Sequence, residues 1–268
     1  MRGVMPNKLM KKWIVIFSII FIQGCTSYAR LTYTFEKNGS VPEIYYDSGA
    51  KDIASKIGIG LPSSIDTVKK HQYADFKNVE AIKIYSFSSK ERYSRFSGST
   101  PKARGSAIKN EVYISPIIRE RIHTLKPILT HELSHVHLRQ YIGTWRYWTE
   151  VPGWFHEGLA VEVSGGGGAE KVTDKQAILE IKTGKHFIPR EESGIFGHKY
   201  ASDYDLKPQM YYRQSYLFVH YLITSNPESF KSAYLSLIEG KKFKDVWSMH
   251  YGKSISQLWL EFLRNIQA

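Results

Sequence analysis

Residues 130–138 read Thr-His-Glu-Leu-Ser-His-Val-His-Leu, and the spacing of their histidines constrains the chain more than any other feature. His131 and His135 are four positions apart, so on a helix both imidazoles project from one face about one turn apart. Two neutral ring nitrogens placed that way can reach a single ion at roughly 2.0–2.1 Å, the length of a zinc–histidine bond. Glu132 adjoins the first histidine, where its carboxylate can take a proton from a water held at that ion. Leu133, Val136 and Leu138 supply apolar contacts that seat such a helix on a core. His137 lies about 200° round the helix from His135 and is expected to face away from the pair as a polar packing residue.

A second block, Pro152-Gly153-Trp154-Phe155-His156-Glu157-Gly158-Leu159-Ala160, follows. Together the segments HELSH and WFHEGLA resemble those of the gluzincin metallopeptidases, especially the aminopeptidase-type branch and its smaller peptidase-MA-like relatives. In that family HExxH is followed, after about twenty residues, by W-x-x-E-G-x-A. Here twenty-two positions separate His135 from Glu157.

The resemblance implies that Glu157 completes a His-His-Glu set on one zinc ion. Three protein ligands leave a fourth position for water, the arrangement of a catalytic rather than a structural zinc site. It implies a zincin-like α+β fold, with Glu132 as general base. It also implies an oxyanion-stabilising tyrosine on a later helix. Tyr212 fits that place, with Tyr211 and Tyr216 as shifts of register. Glu162, five positions beyond Glu157, is a weaker competitor for the ligand role. In gluzincins a strand ahead of the metal helix pairs with the substrate backbone. Gly105-Ser106-Ala107 and the strand Glu111–Ser115 occupy that part of the chain, with an ordinary edge strand as the equal alternative. Two departures stand out. No G-x-M-E-N sequence is present to hold a substrate amino terminus, so exopeptidase action is not implied, and His156 replaces the usual asparagine before the glutamate. His156 is expected either to support a ligand or to lie at the surface, and Trp154 to pack in the core.

The amino terminus reads as an address. A basic segment, Met1 to Lys12, precedes an apolar stretch of ten residues, Trp13 to Ile22, interrupted only by Ser18 and too short to span a hydrocarbon core of roughly 30 Å. The stretch ends in Ile22-Gln23-Gly24-Cys25, which resembles the lipobox of bacterial lipoproteins. The resemblance implies cleavage before Cys25, lipidation of its thiol and a membrane anchor. Thr26, in place of aspartate, favours the outer membrane, facing the periplasm. Cys25 is the chain's only cysteine, which excludes an intramolecular disulfide.

The expected organisation is a signal peptide over 1–24, a tether over 25–42 and one domain over 43–268. That domain divides into an α/β part (43–140), ending with the metal helix, and a helical part (141–268). Arg30 to Glu36, Val79 to Phe87 and Glu111 to Ser115 read as strands from their alternation and β-branched content. Asp52 to Lys56 and Ile65 to Phe76 read as helical pieces broken by Gly58, Gly60 and Pro62, and Ser88-Ser89 followed by Glu91 starts another helix. Helices are expected over Leu125–Tyr141, Trp154–Val163, Met210–Thr224, Pro227–Ile238, Phe243–Tyr251 and Ile255–Ile266, with an irregular loop over 184–208.

The formal net charge is +12, and Arg2, Lys8, Lys11 and Lys12 fall in the leader, leaving +8 for residues 25–268. No stripe of basic and aromatic residues accompanies that charge, so no nucleic-acid partner is expected. The sequence therefore leads to an envelope-anchored zinc hydrolase of peptide bonds. Its rivals are a catalytically silent binding or assembly lipoprotein, and a hydrolase of cell-wall peptide crosslinks. Intact Glu132 weighs against the silent form.

Overall fold

The computed structural model describes residues 29–191 and 199–267, so the expected leader and the lipidation site at Cys25 lie outside the described residues. Five short strands make one mixed sheet: β1 (Glu36–Asn38), β2 (Glu43–Tyr46), β3 (Lys83–Ser86), β4 (Gly105–Ile108) and β5 (Glu111–Ile114). Their spatial order is β1-β2-β3-β5-β4, with β2, β3 and β5 parallel and the outer strands antiparallel to their neighbours. Alternation along the strands separates two faces. Ile84, Val112 and Ile114 enter the main core, whereas Tyr85 and Tyr113 join an aromatic cluster with Phe87, Tyr93 and Phe96. The first face is covered by α1 (Lys51–His71) and α3 (Leu125–Thr149), the second by α2 (Lys90–Ser97).

Several expected boundaries move, each for a physical reason. The two helical pieces expected around Gly58, Gly60 and Pro62 are one continuous helix, α1. Ile53, Ala54, Ile57, Leu61, Ser64 and Val68 form one buried stripe along it. Its burial outweighs the ~3 kcal/mol of an interior proline and the ~1 kcal/mol of each glycine. The strand expected over Val79–Phe87 shortens to β3, because the Asn78 side chain accepts from the Ala81 amide and makes a turn first. Residues 29–32 form a helical turn, and β1 begins only at Glu36, beyond most of the strand expected at 30–36. β2 was not expected at all.

The remainder is helical: α4 (Gly153–Val163), α5 (Asp174–Lys182), α6 (Pro208–Ser225), α7 (Pro227–Ile238), α8 (Phe243–Tyr251) and α9 (Ile255–Gln267). Trp154, Phe155, Phe218, Phe230, Phe243 and Trp247 form its aromatic interior, continuous with the core under the sheet. Among the described residues no helix is long and apolar enough to cross a membrane. The molecule is thus a mixed α+β fold, a small amino-terminal sheet followed by a mainly helical body.

Candidate metal centre

The middle of α3 is buried on every side. All residues from Ile128 to Arg139 are buried, and seven of them are polar: Thr130, His131, Glu132, Ser134, His135, His137 and Arg139. Polar side chains are costly to bury without partners, so such a density has to be explained by what each one meets. His137 is accounted for locally, as expected. Its Nε2–H donates to the Ala74 carbonyl at 3.0 Å, and its Nδ1 accepts from Tyr234 Oη at 3.2 Å. Tyr234 Oη in turn accepts from Gln72 Nε2.

His131 and His135 meet each other and a third residue. Their Nε2 atoms are 3.1 Å apart, and Glu157 Oε2 lies 3.4 Å from the first and 3.7 Å from the second. Four ligands placed tetrahedrally at 2.0–2.1 Å would be separated by about 3.3–3.4 Å, so the three atoms stand at the corners such an ion requires. Donor chemistry agrees: two imidazoles and one carboxylate suit zinc. The structure brings Glu157 to the pair and sends Glu162 elsewhere, where it holds His220 Nδ1 at 3.0 Å. Both glutamates lie on α4, five positions apart, and only the first projects toward α3.

Burial and charge set the protonation of the group. His135 is driven well below its usual pKa by burial, reinforced by the positive charge of His131, His156 and Arg139. It is therefore neutral, the form that ligates a metal. Burial also acts to lower the pKa of His131, but the hydrogen bond to Glu157 and the charge of Glu132 outweigh it and raise it. Burial pushes Glu132 up to about 7, with His131 opposing and Glu157 adding to the rise. That range suits a carboxylate that exchanges a proton near neutral pH. Glu132 reaches the cleft because Gly105 on β4 has no side chain: a Cβ there would come within 2.9 Å of its Oε1 and 2.8 Å of Ile128.

These residues line one cleft of about 610 Å³, with β4 on one side and α6 on the other. Of the three candidate tyrosines, Tyr212 is the one that lines it, its ring centroid 6.2 Å from that of His131. Tyr211 is buried in the core, its hydroxyl directed to the Lys199 carbonyl, and Tyr216 packs against His220. The charge of Glu157 and burial hold the Tyr212 hydroxyl far above its ordinary pKa, so it stays protonated as a donor. His156 is buried, with its ring against Tyr147 and His135, so the surface alternative does not hold. Trp154 packs in the core as expected, its Nε1 donating to the Arg190 carbonyl.

The structure separates the two segments expected ahead of the metal helix. Glu111–Ile114 lies inside the sheet between β3 and β4, and β4 (Gly105–Ile108) is the edge strand facing the cleft. One contributor had no sequence signal. Tyr147 Oη stands 3.0 Å from His135 Nδ1 although twelve residues separate them. On a straight helix they would be about 18 Å apart, but a kink at Gly143 (φ 78°, ψ 156°) folds the chain back. Four consecutive glycines, residues 165–168, follow α4, and the last of them passes beside the candidate site. Gly168, at φ +88°, passes so close to His131 that a Cβ would stand 3.1 Å from its Cε1.

No protein-family profile matches the chain, and no curated protein sequence matches it. Among solved structures, native yeast LTA4 hydrolase is similar with a TM-score of 0.54 at 13% identity, over 85% of this chain and 39% of that one. Yeast LTA4 hydrolase in complex with bestatin matches with a TM-score of 0.49 at 12% identity, over 87% and 36% of the two chains. The chain thus spans well under half the length of those hydrolases. At that identity the likeness is one of fold alone: the α+β arrangement is similar to part of the native LTA4 hydrolase structure.

Proposed function

We propose that this chain is a zinc-dependent endopeptidase held at the bacterial cell envelope by a lipid on Cys25. One observation carries the catalytic part of this reading: His131 Nε2, His135 Nε2 and Glu157 Oε2 converge within 3.1–3.7 Å, in a cleft that also holds Glu132 and Tyr212. Zinc bound there would bring the pKa of a water toward about 7 and polarise the scissile carbonyl. Glu132 takes the proton of the attacking water and later delivers it to the leaving nitrogen. Tyr212, kept protonated, donates its hydroxyl hydrogen to the oxyanion. The free edge of β4 aligns the substrate backbone by strand addition. The absence of a G-x-M-E-N segment favours internal bonds over terminal ones. The leader, the lipobox-like Ile22–Cys25 and Thr26 support the anchor and the outer-membrane address.

Metal analysis paired with hydrolysis of a peptide library tests the catalytic part. Glu132→Gln is expected to keep one zinc per chain and lose roughly 10²–10⁴ in turnover. His131→Ala and Glu157→Ala are expected to lose the zinc itself. Hydrolysis at an unchanged rate by Glu132→Gln would dismiss the reading. In parallel, Cys25→Ala is expected to abolish lipid labelling, and persistent labelling would remove the anchor.

A further inference from the structure

Arg139 follows His135 by four residues on α3, about 6 Å further along the axis, and lines the same cleft. It is only 5% exposed. Its Nη1 donates to the Lys109 carbonyl at 3.0 Å, its guanidinium carbon stands 4.4 Å from the Tyr147 ring centroid, and its Nε meets no acceptor. Among the described residues no carboxylate lies within ion-pair distance of it. Glu132 feels its charge without touching it. The other well-buried arginines are paired, Arg104 with Glu170 and Arg213 with Asp174. A buried guanidinium without a counter-ion is costly, and this one belongs to the lining of the cleft.

The edge strand ties this position to the chemistry. Gly105, at the start of β4, lies against Glu132, and Lys109, just past its end, lies against Arg139. A peptide added along β4 would therefore run between the catalytic carboxylate and the guanidinium. At about 3.3–3.4 Å per residue, the 6 Å from His135 to Arg139 corresponds to about two residues of an extended peptide. We propose that Arg139 recognises a carboxylate of the substrate, selecting peptides with glutamate or aspartate one or two residues from the scissile bond. This rests on the peptidase reading above. Arginine suits the task because its planar fork pairs with both carboxylate oxygens, and the Tyr147 ring and the Lys109 carbonyl fix that plane.

Acetylated, amidated hexapeptides that differ only by Glu against Gln at each position provide the test. Their binding is measured on zinc-loaded Glu132→Gln, and their cleavage on the unmodified chain. Glu is expected to exceed Gln by roughly ten- to a hundredfold at a position one or two residues from the bond cut. Arg139→Gln, introduced into both backgrounds, is expected to bring that ratio near one, and Arg139→Lys to leave part of it. A ratio near one in the unmodified chain overturns the proposal. So does a ratio that persists in Arg139→Gln with zinc content and thermal melt intact. If Arg139→Gln does not fold, the lysine variant decides: a reduced ratio supports the site and an unchanged one dismisses it. A Glu preference in binding with no peptide cleaved would instead overturn the peptidase reading and leave the carboxylate site standing.

Discussion

His135 can present only one ring nitrogen to Glu157 and His131, and the choice is made at its other end. Its Nδ1 is 3.0 Å from Tyr147 Oη, and when Nδ1–H donates there, Nε2 keeps its lone pair for the metal position. Tyr147 is itself fixed by burial, by the ring of His156 and by the guanidinium of Arg139. His137 shows the same device used for structure alone. Burial pushes its pKa down to about 4, and both of its nitrogens are spent on Ala74 and Tyr234. Removing the hydroxyl from residue 147 should therefore touch the metal and spare the fold. Tyr147→Phe keeps the ring contacts and is expected to lower zinc affinity by roughly 10–100-fold. Competition with a fluorescent chelator measures this, and an affinity within twofold of the unmodified chain would show that the hydroxyl does not orient His135.

At the scale of elements, residue pattern alone revealed what had a local cause, while the distant Glu157 and Tyr212 were named only through the family resemblance. His131 and His135 were legible because four residues on a helix fix their relation, and Val112 and Ile114 because alternation marks a strand. Thr173 and Gln176 close a capping box at the start of α5, a local signal carried by two side chains three positions apart. The continuity of α1 through Pro62 was not legible, because it depends on burial against β2 and α3, which lie apart in sequence. Nor was Tyr147, which reaches His135 only through the kink at Gly143. The pairing of α4 with α6 belongs to the same class. Gly158 follows Glu157 directly, and a Cβ at 158 would stand 2.5 Å from the Ser215 carbonyl oxygen and 2.7 Å from its carbon. Both are backbone atoms, so a side chain there must push apart the helices that carry Glu157 and Tyr212. Gly158→Ala is expected to destabilise the fold by about 1–3 kcal/mol, the usual cost of overpacking, and to weaken zinc binding together with stability. Denaturant unfolding and metal titration measure the two. A variant as stable as the unmodified chain would mean that the contact is not rigid.

Across the whole molecule, the candidate metal position is a joint between two bodies. His131 and His135 belong to α3, which packs on the sheet through Leu129, Leu133 and Val136. Glu157 belongs to α4, which packs into the aromatic interior of the helical body through Trp154 and Phe155. An ion bound by residues from both sides is bound by the folded state and not by the unfolded one, so it adds stability by mass action. At a free zinc concentration a thousandfold above its dissociation constant, the gain is about 4 kcal/mol. For a fold of this length that corresponds to roughly 10 °C in Tm. Calorimetry with and without a chelator is expected to show that difference for the unmodified chain and for Glu132→Gln, which keeps all three ligands. Glu157→Ala is expected to show little change on chelation, because two histidines on one helix no longer span the joint. A full chelator shift in Glu157→Ala would mean that the ion is held by α3 alone, and that the carboxylate from the second body plays no part in closing the site.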